Sequence, residues 1–584
     1  MMGEDSTGTE SGHWFWPPES YERKGVGRVS RFRLLVLVCS ALVVLGVMAT
    51  PASAQDQWRR MAELFTSPNS ATNSDFAFWG NHAFVGYYTG STGGVRIFDI
   101  SNPRRPQLVR NLRCNGNQND PIIWDRDGNG VADLMLLAVD RTMDTRSCDS
   151  PVSNRTTPTG TVRFDENPNG WEGVRVFELS DNPNRPFRAI EQVSSVYTDC
   201  GAHTITAWTG RVESHNELIV YVSSYPLRPG PTCGVTGSGV TTPPHQNVNN
   251  PFDPDKVVND ALHRQIQVLR VPLNNPENTR EIAAPTIVYP GDPDGKQDWT
   301  EKGLTGLEPA AVACHDIVTH MEHNLAGAAC AEQGQVWEID PETGIPNTED
   351  PMIVGDDEVS SGGPNFPGTE PIDFFIPGAV DFFHSVMFNN EGTVVNWVDE
   401  SFGTGCPTMT RYSDRPWNPG GGLEKTGSMF FSDMEGNFLS GFNVGDVRPR
   451  SELDPNTGNE LEYCSAHMGM TVTGIEEDIL VNAWYTGGVN VIDFTDPTNL
   501  EEIAYYDPAV ISGTWSAYPY TGPLFRQGRQ AGVPVYASDG VTNNANAKGM
   551  VVYRARIDEV PRRADLLDHL NPQTMDHGMM SEGG

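Results

Sequence analysis

The chain has 584 residues, 76 acidic and 40 basic, for a formal net charge of −36, and 38% of its residues are apolar. The acidic excess argues against a nucleic-acid partner, which needs clustered Lys and Arg, and the apolar content at this length excludes wholesale disorder. With 59 glycines and 44 prolines, a helical bundle or coiled coil is excluded and a loop-rich β architecture is expected.

Residues 1–54 read as an export signal. Arg23, Lys24, Arg28, Arg31 and Arg33 precede an apolar run from Leu34 to Ala49, and Ala52-Ser53-Ala54 offers a small-residue cleavage site before Gln55. That run is shorter than the roughly 20 residues a membrane span needs. An uncleaved N-terminal anchor is the alternative. The leader carries five acids and five bases, so the mature chain keeps the full charge. A secreted or cell-surface protein is expected, with no membrane span in the mature chain.

From residue 94 onward one pattern recurs: alternating apolar residues, an acid, then an Asn/Asp-Pro turn. It appears as Gly94-Val-Arg-Ile-Phe-Asp-Ile-Ser-Asn-Pro103 and Gly173-Val-Arg-Val-Phe-Glu-Leu-Ser-Asp-Asn-Pro183. Further copies begin at Gln265, Gln335 and Gly488, with looser ones at Ser428 and Gly549. Such alternation is strand chemistry, and the Pro pair fixes a tight turn. Each copy is the third strand, C, of a four-stranded meander A–D. Seven such units cannot bury their faces alone, which predicts an all-β, seven-bladed propeller over residues 55–558. The last unit has no clear fourth strand, and the segment Met61 to Phe65 is expected to supply it. Two packed sandwiches are the alternative. Residues 559–584 are expected to be a disordered tail.

Aligning the A strands by their first residues gives seven equivalent positions: Asp75, Asp120, His203, His315, His384, His467 and Ser516. Innermost strands line a propeller's central channel. Four of the twelve histidines beyond the leader therefore fall at one channel position. Converging imidazoles suit Cu, Zn or Fe, and Asp75 and Asp120 would complete the shell or orient the rings. The competing reading is a polar lining of the channel mouth. His320 and His323 mimic a metal spacing with His315, but the odd offset reads better as core or turn histidines.

Strand A starts, and strand B ends, on the same face. Long insertions (141–170, 225–262 and 401–426) leave from B-strand ends toward that face, where a small molecule, a polysaccharide or a protein would bind. Eight cysteines beyond the leader cluster there too, and an even count in an exported chain favours disulfides. The nearest pairings are Cys114–Cys148, Cys200–Cys233, Cys314–Cys330 and Cys406–Cys464. On the opposite face, Asp125, Asp127, Asn129 and Asp133 hold the oxygen positions of a Ca²⁺ loop, with Gly130 for the turn. An unliganded Asx/Gly turn fits the same spacing. A monomer is expected.

The Gly-Val-Arg-Ile-Phe-Asp-Ile-Ser-Asn-Pro and Gly-Gly-Val-Asn-Val-Ile-Asp-Phe-Thr-Asp-Pro segments resemble the LVIVD-repeat β-propeller family of secreted and surface proteins, over residues 75 to 557. The resemblance implies fold and export; the biochemical activity of that family is mostly undefined. A fainter similarity to the selenium-binding and methanethiol oxidase propellers, in the strand-acid-Pro pattern, implies a histidine-lined copper channel. Two functions follow: a metal-dependent oxidoreductase or hydrolase, or a non-catalytic extracellular binding module using the loop face.

Overall fold

The computed structural model describes residues 58–67, 72–89, 92–151, 171–180, 182, 186–198, 201–224, 265–287, 314–330, 333–355, 383–400, 427–447, 464–507, 513–522, 532–539, 549–557 and 567–579. The leader and most of the long loops lie outside them. Seven antiparallel sheets follow one another along the chain, forming a seven-bladed β-propeller. Their A strands are Thr72–Trp79, Gln118–Trp124, Thr204–Trp208, Asp316–His320, Phe383–Phe388, Gly469–Thr471 and Thr514–Pro519.

Burial explains why the C-strand repeat is written as it is. Each blade is sandwiched between two others, so both faces must be apolar. In blade 1, Val95 and Ile97 pack toward blade 2, with Ile122 and Leu136, while Phe98 packs toward blade 7, with Tyr518 and Tyr536. The A strand Thr72–Trp79 is buried along its whole length, whereas the outermost strand Gln107–Arg113 is almost wholly exposed. The glycine that opens the repeat has a steric cause. At Gly94, Gly173 and Gly488 φ is positive, and a Cβ would run into a carbonyl oxygen of the neighbouring D strand.

The ring closes as the sequence suggested. Met61–Thr66 pairs with Gly549–Ala555 and becomes the fourth strand of blade 7, so an early and a late segment of the chain share one blade. Trp58–Arg59 extends blade 6.

The tail corrects an expectation. Residues 567–579 are a hairpin, Leu567–Asn571 and Asp576–Met579, joined through a 3-10 turn at Pro572–Thr574. Leu570 and His569 pair with Phe78 and Trp79, on the channel edge of blade 1 at the end away from the mouth. Asn571 exchanges hydrogen bonds with the backbone of Ile123 (2.9 and 3.1 Å). The Ala207 N–H donates to Thr574 Oγ1, and Thr319 Oγ1 donates to the Thr574 carbonyl. Leu567, Leu570 and Met575 are buried in the core. The segment thus ties blades 1 to 4 together across the channel floor. A disordered tail was expected because the segment is short and mostly polar; the unpaired inner edge of an A strand gives it a partner.

Candidate metal centre

Short β-bulges set the channel wall. In blade 5, Phe383 pairs with Asp399 and Ser385 with Val398, so His384 is an extra residue turned out of the ladder. Trp515 is the corresponding extra residue of blade 7. By the same register, Ser74 and Asn119 occupy this position in blades 1 and 2, one residue before Asp75 and Asp120. The alignment by first residues was therefore out of step by one in three blades. His203, His315, His384 and His467 share a level with Ser74, Asn119 and Trp515, whereas Asp75, Asp120 and Ser516 align one step deeper with Asp316.

At the upper level the four histidines form an arc across blades 3 to 6. Ring centroids are 4.3 Å apart for His203–His315, 3.7 Å for His315–His384 and 4.0 Å for His384–His467. All four are buried. His315 Nδ1 lies 2.8 Å from the His384 carbonyl, and His467 Nδ1 lies 2.5 Å from the Trp515 carbonyl. A carbonyl only accepts, so both Nδ1 atoms carry the proton and Nε2 presents its lone pair, the tautomer a metal ligand requires. Burial lowers the pKa of His315, helped by His203 and His467, and lowers that of His384, helped by the other three histidines. Burial takes His467 down to about 3, against the raising effect of its bond to Trp515. These three rings are neutral at physiological pH.

Two carboxylates complete this level, Glu400 just past a B strand and Asp140 near the end of the B strand Leu134–Met143. Glu400 follows Val394–Asp399, and its Oε2 is 3.5 Å from His384 Nε2. Among the described residues, His384, Glu400 and His467 are the group whose ligand atoms all lie within 4.8 Å of one another. The Tyr485 hydroxyl donates to Glu400 Oε1 at 2.6 Å, and Tyr485 itself has φ of 44°. Asp140 Oδ2 is 2.6 Å from His203 Nδ1, while His203 Nε2 faces the Gln118 amide at 3.0 Å. The Tyr88 hydroxyl is pushed up by burial, with the charges of Asp140 and Glu400 adding to the effect. Glu400, Asp140 and Tyr485 went unnoticed in the sequence. The signal for the two acids was available, since B-strand ends reach the same face as A-strand starts.

The deeper level is carboxylic. Asp120 Oδ2 accepts the Ile205 N–H of the next blade at 2.8 Å. Asp316 likewise accepts the Val386 N–H and the Thr204 hydroxyl. Asp75 accepts its neighbour Phe76 N–H and the Gln573 amide from the tail hairpin. Burial pushes Asp75 up to about 6, and raises Asp120 and Asp316 further with help from neighbouring carboxylates. These acids cap exposed edge N–H groups of the inner strands. The structure does not bring Asp75 and Asp120 into the histidine group.

The remaining candidates fall outside the centre. Cys114–Cys148 and Cys314–Cys330 are disulfides, each stapling chain beside the start of an A strand. Cys464 is also disulfide-bonded; Cys200, Cys233 and Cys406 lie outside the described residues. In the acidic loop, Asp125 accepts N–H groups from Asp127, Gly128, Asn129 and Gly130. Asp133 is turned to Arg126, 3.0 Å from its Nε. This is the Asx/Gly turn that the spacing allows, and Ca²⁺ would have to draw Asp133 away from Arg126. His320 and His323 face the carbonyls of Asn390 and Glu391 in the next blade, as turn histidines do.

No family model matches the chain, and no curated protein does. Among solved structures, Chaetomium thermophilum Raptor is 11% identical at a TM-score of 0.40, over 86% of this chain and 29% of that one. A chain of the Mitotic Checkpoint Complex is 8% identical at 0.36, over 91% and 99%. This chain thus spans less than a third of the Raptor chain.

Proposed function

We propose that the chain is an exported metalloprotein in which His384, His467 and Glu400 hold a transition-metal ion at the channel mouth, flanked by His315, and that this centre oxidises or hydrolyses a small molecule. The convergence of those three ligand atoms, with the proton held away from His467 Nε2, carries the reading. Two imidazoles and a carboxylate are a donor set for Zn, Cu or Fe. A bound ion would supply Lewis-acid or redox chemistry there. The chain's own residues supply orientation: Tyr485 fixes the Glu400 carboxylate, and Asp140 fixes the ring of His203. In this reading His203 faces the centre from the far side of the arc and is not a ligand. Asp75 and Asp120 belong to the floor.

The test is metal content of protein purified after metal-replete expression. About one transition-metal ion per chain, lost in His384→Ala and in Glu400→Ala but kept in Asp120→Asn, is the expected result. A loop-face binding module with histidines as polar lining gives no stoichiometric metal in any variant.

A further inference from the structure

Three arginines are buried among the described residues of this acidic protein, and they are answered differently. Arg211 pairs with Glu217 at 2.5 Å. Arg175, fully buried, donates to the carbonyls of Asn115 (2.5 Å), Arg146 (3.0 Å) and Ser147 (3.2 Å) and to Cys114 Sγ (3.1 Å). Arg96 is 7% exposed, yet among the described residues its only polar contact is one long approach to Asn73 Oδ1 at 3.4 Å. Its guanidinium lies 4.3 Å from the Tyr87 ring centroid, and its Nε is buried without a hydrogen-bond partner. The Asn73 Nδ2 beside it is also buried and unpartnered. A buried charge without a counter-ion is costly, and acids outnumber bases by 36 in this chain.

The position of Arg96 follows from register. It pairs with Val85, and Phe98 follows on the same face, so Arg96 points into the seam between blades 1 and 7. Asn73 stands one residue before Ser74, which occupies the level of the histidines. Tyr87 faces Arg96, and on blade 7 Trp515, at the level of the histidines, has its ring 4.8 Å from that of His467. The seam therefore adjoins the metal centre along one strand end. We infer that Arg96 and Asn73 form a binding site for the carboxylate of a small molecule, which makes the substrate of the neighbouring centre a carboxylic acid. The donors decide the class: one guanidinium fork and one amide N–H match the two oxygens and single charge of a carboxylate. Only the word "substrate" rests on the metalloprotein reading; the carboxylate site stands without it.

Thermal unfolding of chelator-treated full-length protein in sodium acetate or sodium benzoate, against sodium chloride at matched ionic strength, tests this. Wild type and His384→Ala should both gain Tm with the carboxylates over chloride. The apparent affinity should fall at least tenfold in Arg96→Met, and detectably in Asn73→Ala, which keeps the guanidinium. Arg96→Gln serves where Arg96→Met does not fold. No carboxylate-specific gain in wild type, or an undiminished gain in the Arg96 variants, overturns the inference. A gain that survives in His384→Ala, in a protein that binds no transition metal, would sink the metalloprotein reading and leave this site standing.

Discussion

The two levels of the channel wall are built from neighbouring residues of the same strands, yet they answer burial in opposite ways. The upper level turns imidazoles toward the axis and spends their second nitrogen on the next blade's carbonyl, as His315 and His467 do. The lower level spends its carboxylates on the next blade's backbone N–H, as Asp120 does with Ile205, and is closed by the C-terminal hairpin. One repeat position thus leaves ligand atoms available, while the adjacent one is consumed by architecture. Placement on a propeller axis does not by itself make a residue functional; what its remaining polar atoms meet does.

The comparison can be broken most severely at the floor. Deleting residues 566–584 removes the buried Leu567, Leu570 and Met575 together with the Gln573 contact to Asp75, and should cost on the order of 5 kcal/mol or more in denaturant unfolding. Unchanged stability would show that the hairpin does not hold the floor. Next in size is a pH effect confined to that level. Burial holds the Asp75 carboxyl at about 6, above the ordinary carboxylate value of 3.8, so the folded state binds the extra proton between those values. Asp75 alone therefore lowers stability as pH rises from about 4 to 6, by roughly 2–3 kcal/mol, and Asp120 and Asp316, raised in the same direction, add to the fall. Asp75→Asn should make that fall shallower in urea titrations at fixed pH, by the share Asp75 contributes.

Smaller effects separate the levels. Asp316→Ala should cost about 1–3 kcal/mol by orphaning the Val386 N–H and Thr204 hydroxyl while leaving metal content intact; His467→Ala should do the reverse. Smallest is Tyr485→Phe, which frees Glu400 from its 2.6 Å bond and should weaken metal affinity about tenfold, read by competition with a chromophoric chelator.

Blade number, ring closure by Met61 to Phe65 and the four channel histidines were legible in the sequence, because alternating strands and a recurring Gly-Val-x-Ile/Val core repeat what packing demands. The one-residue shift of Asp75, Asp120 and Ser516 was not, since a bulge adds a residue without marking it in the composition. Glu400 and Asp140 were readable only through strand register: one follows a B strand and the other lies near the end of one, and those ends reach the face where the A strands start. The tail hairpin was missed because its stability comes from an open strand edge hundreds of residues earlier in the chain.

X-ray absorption at the metal edge of the purified protein tests the central claim most directly. The account predicts a transition metal whose first shell holds at least two imidazole nitrogens and a carboxylate oxygen, with the imidazole scattering reduced in His467→Ala. An absent metal, or a shell of oxygens alone that His467→Ala leaves unchanged, would contradict it.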